Sequence, residues 1–195
     1  METLLALGVA LVLGLRHATD PDHLVAVSSL VLADDGDIRA AVRLGAWWGV
    51  GHAAILLLVG VPLIAFQEEL PGWFERGAEI AVGLVIVLLA ARVLVRRLRP
   101  SKAQRPLRTA QQALGIGVLH GLAGTGAVVL LLIAAAPDRL EAAAALAVFA
   151  PMSIVSMALC TSAFAWALTR GVLHHMLLVP ALGAFGLLFG IWYAL

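Results

Sequence analysis

The residues of this chain that could do chemistry are concentrated in one short segment near its start. The segment reads GLRHATDPDH and contains His17, Asp20, Asp22 and His23. Imidazole nitrogens combined with one or two carboxylates suit nickel, cobalt, zinc or copper(II), whereas magnesium and calcium prefer shells made of oxygen. The single cysteine, Cys160, excludes an intramolecular disulfide and a cysteine-rich zinc site. The segment therefore predicts a transition-metal site with nitrogen and oxygen donors.

Two further histidines share a local pattern with the first. The pattern Gly-x-x-His followed by a small residue occurs at His17, His52 and His120. Small residues beside a histidine let helices approach closely, so that the ring reaches a neighbouring helix. A lone histidine of this kind is more often a structural hydrogen-bonding residue between helices. Three of them on separate segments, beside His23, predict convergence on one metal centre.

The charged residues of the motif are expected to have separate roles. Asp22 either binds the metal directly or holds the ring N–H of a binding histidine. Asp20 is assigned the cap of the helix that follows it, and Arg16 supplies a counter-charge. In the alternative interpretation, Arg16 and Asp20 form a purely structural ion pair four residues apart. That alternative leaves both histidines and Asp22 without a purpose.

The elements that must position these residues are membrane-spanning helices. The chain has 195 residues, of which 62% are hydrophobic and 13% charged, with a mean hydropathy of +1.01. Soluble domains contain about a quarter charged residues, so this chain lacks the polar surface of a soluble protein. A span needs about 20 apolar residues. Residues 1–195 are predicted to form a single all-α domain of six spans, namely Thr3–Leu32, Leu44–Phe66, Ile80–Leu98, Gln112–Ala135, Leu140–Leu168 and Leu173–Leu195.

The first span is predicted to be discontinuous. Pro21 has no N–H to donate to the carbonyl of His17, and it biases Asp20 away from helical angles. The expected result is one helix from Thr3 to about Thr19 and a second from Pro21 to about Leu32. Broken helices at membrane depth are where transporters place ion sites.

The fourth span resembles the first in its pattern of glycine and histidine. Aligning His17 with His120 places Pro21-Asp22-His23 against Gly124-Thr125-Gly126. This register predicts a break in the fourth span as well, with His120 and Thr125 lining the opposite side of the site. Two halves of three spans each have opposite orientations in the membrane, so the alignment favours a 3+3 inverted repeat.

The distribution of basic residues predicts the orientation in the cell membrane. The third connection carries a run of basic residues without an acidic one: Arg92, Arg96, Arg97, Arg99, Lys102, Arg105 and Arg108. Such loops remain in the cytoplasm, and alternation of six spans then places both termini outside. The formal net charge of +1 offers no case for nucleic-acid binding. The expected partners are the metal ion and the lipid bilayer, and the sequence leaves a homo-oligomer open.

The motif residues resemble a known family. His17-x-x-x-x-Asp22-His23, preceded by Gly14-Leu15-Arg16, closely resembles the signature of the nickel/cobalt transporter family, and Gly51-His52 looks like its next element. The segment Leu119–Gly126 is similar to short urease-accessory and efflux-type relatives. The resemblance implies secondary transport of Ni²⁺ or Co²⁺ as substrate, with no resident cofactor. It also implies a metal site made by His17, Asp22, His23 and His52. The helix that carries the motif is implied to run from outside to inside.

These observations together predict a secondary transporter rather than an enzyme. The expected substrate is nickel first and cobalt second, and the expected direction is inward. One alternative is a metal efflux permease of the same superfamily. Another is a membrane-embedded metalloenzyme or a haem-binding electron carrier, since His52 and His120 lie on different spans. The His-Glu-x-x-His signature of a zinc enzyme is absent from the sequence.

Overall fold

The computed structural model describes residues 2–32, 38–98, 109–170 and 175–195, and over these ranges it is helical without a strand. The elements are α1 (Glu2–Arg16), a 3₁₀ turn (His17–Thr19), α2 (Pro21–Leu32), α3 (Ile38–Phe66), α4 (Gly72–Leu98), α5 (Ala110–Ala135), α6 (Arg139–Thr169) and α7 (His175–Ala194). The all-α prediction is confirmed for this part of the chain.

The helices make this a multi-pass membrane protein. Four of the described helices are long and apolar enough to cross a bilayer, namely α3, α4, α5 and α6. The broken pair α1 and α2 makes a fifth span if its two pieces are counted together. The apolar part of α7, Pro180–Ala194, is shorter. The sixth predicted span includes 173 and 174, which lie outside the described residues, so the count of six stays a prediction.

The core is organised around α3. This helix packs against α5 on one side and α6 on another, while α1 packs on α6 and α4 packs on α7. The largest fully buried side chain is Trp48 of α3, and Leu44 and Leu56 lie on the same helix. Burial of α3 among the other helices places its histidine in the interior.

The break in the first span is confirmed and has the predicted ends. α1 ends at Arg16, the 3₁₀ turn follows, and α2 begins at Pro21, with a bend of 45° between the two pieces. Asp20 is in an extended conformation (φ −64°, ψ 145°), and its N–H donates to the carbonyl of His17. Its own carbonyl accepts the N–H of Leu24 at 2.9 Å, which starts the first turn of α2.

The predicted break in the fourth span is wrong. α5 is one helix from Ala110 to Ala135 and runs through Gly124 and Gly126 without interruption. Glycine lowers helix propensity but keeps its N–H, whereas proline removes the donor and clashes with the preceding turn. Without water to compete in a membrane, the intact helical bonds persist.

Two predictions about topology are not decided by these helices. The alignment that favours a 3+3 inverted repeat expects a break in both the first and the fourth span. Because α5 is unbroken, the repeat stays a prediction. The basic run extends beyond α4, and its residues 99–108 lie outside the described residues. The location of both termini outside the cell therefore also stays a prediction.

Candidate metal centre

Four histidines from four elements meet in the interior. His17 lies on the 3₁₀ turn, His23 in the first turn of α2, His52 in the middle of α3 and His120 in the middle of α5. Their exposed fractions are 8%, 3%, 0% and 2% respectively. Histidine is seldom buried in such numbers at one place unless the rings have a common partner.

Glycines account for how these helices come close enough. A Cβ added at Gly14 would overlap the backbone of Phe149, and one added at Gly49 would overlap the backbone of Ile154. Likewise, a Cβ at Gly117 would overlap the carbonyl oxygen of Trp48. Each of these glycines lies three residues before a histidine. The pattern seen in the sequence therefore marks contact points between helix backbones, one turn from each imidazole.

Three of the imidazoles form a compact group. His17, His23 and His52 each offer a ring nitrogen, and the three nitrogens lie within 4.8 Å of one another. The Nε2 atoms of His17 and His52 are 2.8 Å apart. Two nitrogens bound to one tetrahedral ion at about 2.1 Å lie roughly 3.4 Å apart. Small ring rotations therefore bring this group, hereafter the histidine triad, into metal-binding geometry.

Several ring nitrogens at this centre have no hydrogen-bond partner in the part of the chain that the structure describes. Among the described residues, no hydrogen-bond partner is found for Nε2 of His23, Nδ1 of His52 or either ring nitrogen of His120. A buried donor or acceptor left unsatisfied costs about 1–3 kcal/mol. Unpaired nitrogens on adjoining buried rings are what a binding site for a cation requires. The donor set is the one that nickel, cobalt and zinc accept.

His120 adjoins the triad without joining it. Its ring centroid lies 5.2 Å from that of His23 and 5.3 Å from that of Trp48. The group of nitrogens within 4.8 Å includes His17, His23 and His52 but not His120. His23 thus has the triad on one side and His120 as a neighbour.

The two aspartates of the motif face the outer nitrogens of the histidines. Asp22 Oδ1 lies 3.2 Å from His23 Nδ1, and Asp20 Oδ2 lies 3.5 Å from His17 Nδ1. The Asp22 side chain is 19% exposed and the Asp20 side chain 48%. A carboxylate beside Nδ1 orients the ring and leaves Nε2 for the metal. Asp22 thus lies beside His23 Nδ1, although that nitrogen has no hydrogen-bond partner among the described residues.

The remaining motif residues lie at the edge of the centre. Asp20 directly precedes α2 and its carbonyl accepts the N–H of Leu24, while its carboxylate faces His17, so its side-chain capping role stays a prediction. Arg16 is exposed, and within the described ranges no ion pair joins it to Asp20. Thr125 is buried on α5, and its hydroxyl donates to Gly121 O of its own helix at 2.5 Å. Thr125 therefore does not present its proton to the histidines.

A cavity leads to the triad. It has a volume of about 270 Å³ and reaches His17 and Asp20 from the side where α1, α5 and α6 meet. Its polar wall is formed by Arg16, His17 and Asp20, and its apolar wall by Leu13, Val128, Leu131, Leu132 and Phe149. A hydrated divalent ion needs polar partners of this kind where it loses water.

Two aromatic residues at the centre were not singled out from the sequence. Trp48 is buried and stacks on His23, with ring centroids 5.5 Å apart and planes inclined by 16°. Phe149 packs edge-on against His17 at 5.2 Å. Trp48 lies one helical turn before His52, so its position on the same helix face was a usable signal. Phe149 comes from a distant helix and left no local signal.

Comparison with known proteins supports a nickel-related assignment. The chain is 27% identical to the urease accessory protein UreH of Bacillus sp. (strain TB-90) over 210 residues, covering 99% of this chain and 92% of that protein. It is 38% identical over 100 residues to a high-affinity nickel transport protein of Cupriavidus necator, covering 46% of this chain and 28% of that protein. No protein-family model matches the chain, and no solved structure matches it significantly. The resemblance to nickel permease-type proteins that the motif indicated is confirmed.

Proposed function

We propose that this protein transports Ni²⁺ across the cell membrane and that the histidine triad binds the ion during passage. The observation that carries the proposal is the meeting of His17, His23 and His52, with nitrogens within 4.8 Å, at the break of a spanning helix. Irregular backbone at membrane depth is tolerated where it lines a cavity or an ion site. The similarity to a nickel transport protein supports nickel as the substrate.

The donor set explains the proposed choice of metal. Three neutral imidazoles leave positions for water or a carboxylate, a shell that suits nickel and cobalt and excludes magnesium and calcium. Cobalt is proposed as the second substrate, since its ligand preferences are close to those of nickel. Binding requires deprotonated rings, so protonation of the imidazoles at low pH competes with the metal.

We propose that transport is inward and that the ion enters through this cavity. It is lined by the N-terminal part of the first span and the C-terminal half of α5, which lie on the same side of the membrane in alternating topology. The basic run predicts that this side is the outside. Nickel would lose water beside Asp20, bind the triad, and pass His120 on its way to the cytoplasm. The reverse direction, export, is the alternative.

The pairing of helices supports a rocking mechanism between two halves. α1 packs on α6, α5 packs on α3, and α4 packs on α7. If a two-fold axis relates spans one to three to spans four to six, a contact between the first and fifth spans requires an equivalent contact between the fourth and second. The contacts of this chain fit that relation. The metal centre would then lie between the halves and open alternately to either side.

Accumulation of radioactive nickel in cells tests the proposal. Cells expressing the wild-type protein are compared with cells expressing His17→Ala, His23→Ala and, as the matched control, His175→Ala at the start of α7. We expect accumulation with the wild type and the control, and background levels with the two triad variants. Unchanged accumulation in both triad variants contradicts the site, and a decrease below background with the wild type shows export.

A second experiment tests whether the imported nickel reaches a nickel enzyme. Because the match that covers nearly the whole chain is a urease accessory protein, we propose that the imported nickel supplies a nickel enzyme such as urease. Urease activity in cells grown with limiting nickel should rise when this chain is expressed. Excess nickel in the medium should remove the difference between wild type and His23→Ala, because other routes of uptake then suffice.

A further inference from the structure

The hydroxyl of Ser156, on α6, reaches across to the break in the first span. Ser156 Oγ donates to the carbonyl of Leu15 at 2.6 Å and accepts the N–H of Ala18 at 3.2 Å. Leu15 lies in the last turn of α1, and Ala18 lies in the 3₁₀ turn. These two backbone groups flank His17. They are also the pair that a 3₁₀ hydrogen bond would join directly, so the hydroxyl is inserted between them.

The other hydroxyls of α6 behave differently. Ser153 donates to Ala150 O at 2.7 Å and Thr161 donates to Met157 O at 2.5 Å, both within α6. Ser162 and Thr169 likewise donate to carbonyls of their own helix. Bonding to the preceding turn is the usual behaviour of serine and threonine in an apolar helix. Ser156 is buried and is the one described hydroxyl of α6 that bonds to another element.

We propose that Ser156 is a positioning residue for the metal centre. By holding the backbone on both sides of His17, it fixes the direction in which that imidazole points toward His52 and His23. The geometry of the triad, and with it the affinity and selectivity for nickel over zinc, depends on this contact. The inference rests on the proposed function and adds a residue that is 139 positions away from His17. Its hydrogen bonds within the described ranges go to backbone groups and not to an imidazole.

The size of the effect follows from comparable cases. Residues that orient metal-binding histidines typically change metal affinity by about 10- to 100-fold when they are removed. Ser156 acts on the backbone of one ligand out of three, so the lower end of this range applies. Nickel and zinc differ in preferred coordination geometry, so a displaced His17 ring changes their ratio of affinities as well.

The test uses purified protein and two matched comparisons. Ser156→Ala removes the bridging hydroxyl, whereas Ser153→Ala removes a buried hydroxyl that bonds within α6. Ser156→Thr and Ser156→Val have the same shape and differ in the hydroxyl alone. Nickel binding is followed by intrinsic tryptophan fluorescence, because Trp48 stacks on His23. The absorption spectrum of bound Co²⁺ reports coordination geometry, and the melting temperature reports stability.

We expect Ser156→Ala to weaken nickel binding about 10-fold and to alter the cobalt spectrum, with both properties unchanged in Ser153→Ala. Ser156→Thr should keep both properties and Ser156→Val should lose them, which decides the matter if Ser156→Ala fails to fold. Wild-type affinity and spectrum in Ser156→Ala or in Ser156→Val overturn the inference alone. A wild-type protein that binds no nickel overturns the proposed function and this inference together.

Discussion

Two spans of this protein carry the same glycine and histidine pattern and differ in the residue four positions after the histidine. In the first span, that residue is Pro21, four positions after His17, and the chain bends by 45°. In α5, the residue at the same distance from His120 is Gly124, and the helix continues. Proline deletes a donor, whereas glycine keeps it. Pro62 and Pro151 lie inside the unbroken helices α3 and α6, so the loss of one N–H does not by itself break a helix. At Pro21 that loss coincides with the extended conformation of Asp20 and with Ser156 Oγ between Leu15 and Ala18.

The difference determines where each histidine lies. The 3₁₀ turn places the imidazole of His17 against those of His52 and His23, with Nε2 of His17 only 2.8 Å from Nε2 of His52. His120 stays on a regular helix, and its nitrogens remain outside the triad. His17 thus enters the triad at a break, whereas His52, with the same local pattern, enters it from the unbroken helix α3.

The largest expected effect comes from replacing the proline at the break. Pro21→Ala restores an N–H that can bond to the carbonyl of His17 and continue the helix. We expect nickel transport to fall to background while the protein still folds and inserts. Pro62→Ala, inside α3, is the matched control and should transport nickel at close to the wild-type rate. Full transport by Pro21→Ala would show that the break is not needed for the site.

The next largest effect distinguishes a histidine of the triad from its neighbour His120. His52→Ala removes a triad nitrogen, whereas His120→Ala removes an equally buried imidazole outside the triad. We expect nickel affinity to fall more than about 100-fold in the first variant and about 10-fold or less in the second, the range typical of supporting residues. Titration of the purified variants measures both. Equal losses would place His120 among the ligands.

Acidic conditions should weaken nickel binding by the triad. Each binding nitrogen must be unprotonated, so protons compete with the metal once the pH is low enough to protonate the buried rings. We expect nickel affinity to decrease as the pH is lowered, with protons taken up as nickel is released. Calorimetry in buffers of different ionisation enthalpy counts these protons. Affinity that does not change with pH would contradict binding by imidazoles.

A smaller effect is expected from the carboxylates. Asp22→Asn removes the charge 3.2 Å from His23 Nδ1, in a largely buried position, and Asp20→Asn removes one 3.5 Å from His17 Nδ1, in a more exposed position. We expect nickel affinity to fall about 10-fold in the first variant and less in the second. A loss in Asp22→Asn as large as that in His52→Ala would show that Asp22 binds the metal directly.

The smallest effect is expected at Thr125, on the unbroken helix. Its hydroxyl bonds to Gly121 O within α5, so Thr125→Val should change nickel transport by less than about twofold. Rates of uptake measured at equal expression levels check this expectation. A loss of nickel uptake comparable to that in His52→Ala would show that Thr125 takes part in the metal site, as the sequence pattern predicts.

The sequence predicted the features that depend on local chemistry. The ends of the break follow from Pro21 and Asp20, and the close contacts of α3 and α5 follow from glycines one turn before a histidine. The alignment of spans failed because it treated glycine and proline as equivalent breakers. Ser156 and Phe149 could not be predicted from the sequence, because their partners at or near His17 are more than 100 positions away in the chain. Such contacts are set by tertiary packing.

The central claim is that three imidazoles bind the transported nickel. X-ray absorption spectroscopy of nickel bound to the purified protein tests it most directly, because multiple scattering from imidazole rings reveals how many histidines bind the ion. Three imidazoles are expected in the wild-type protein and two in His52→Ala, with His120→Ala equal to wild type. A wild-type spectrum without imidazole scattering, or an unchanged histidine count in His52→Ala, would contradict the claim.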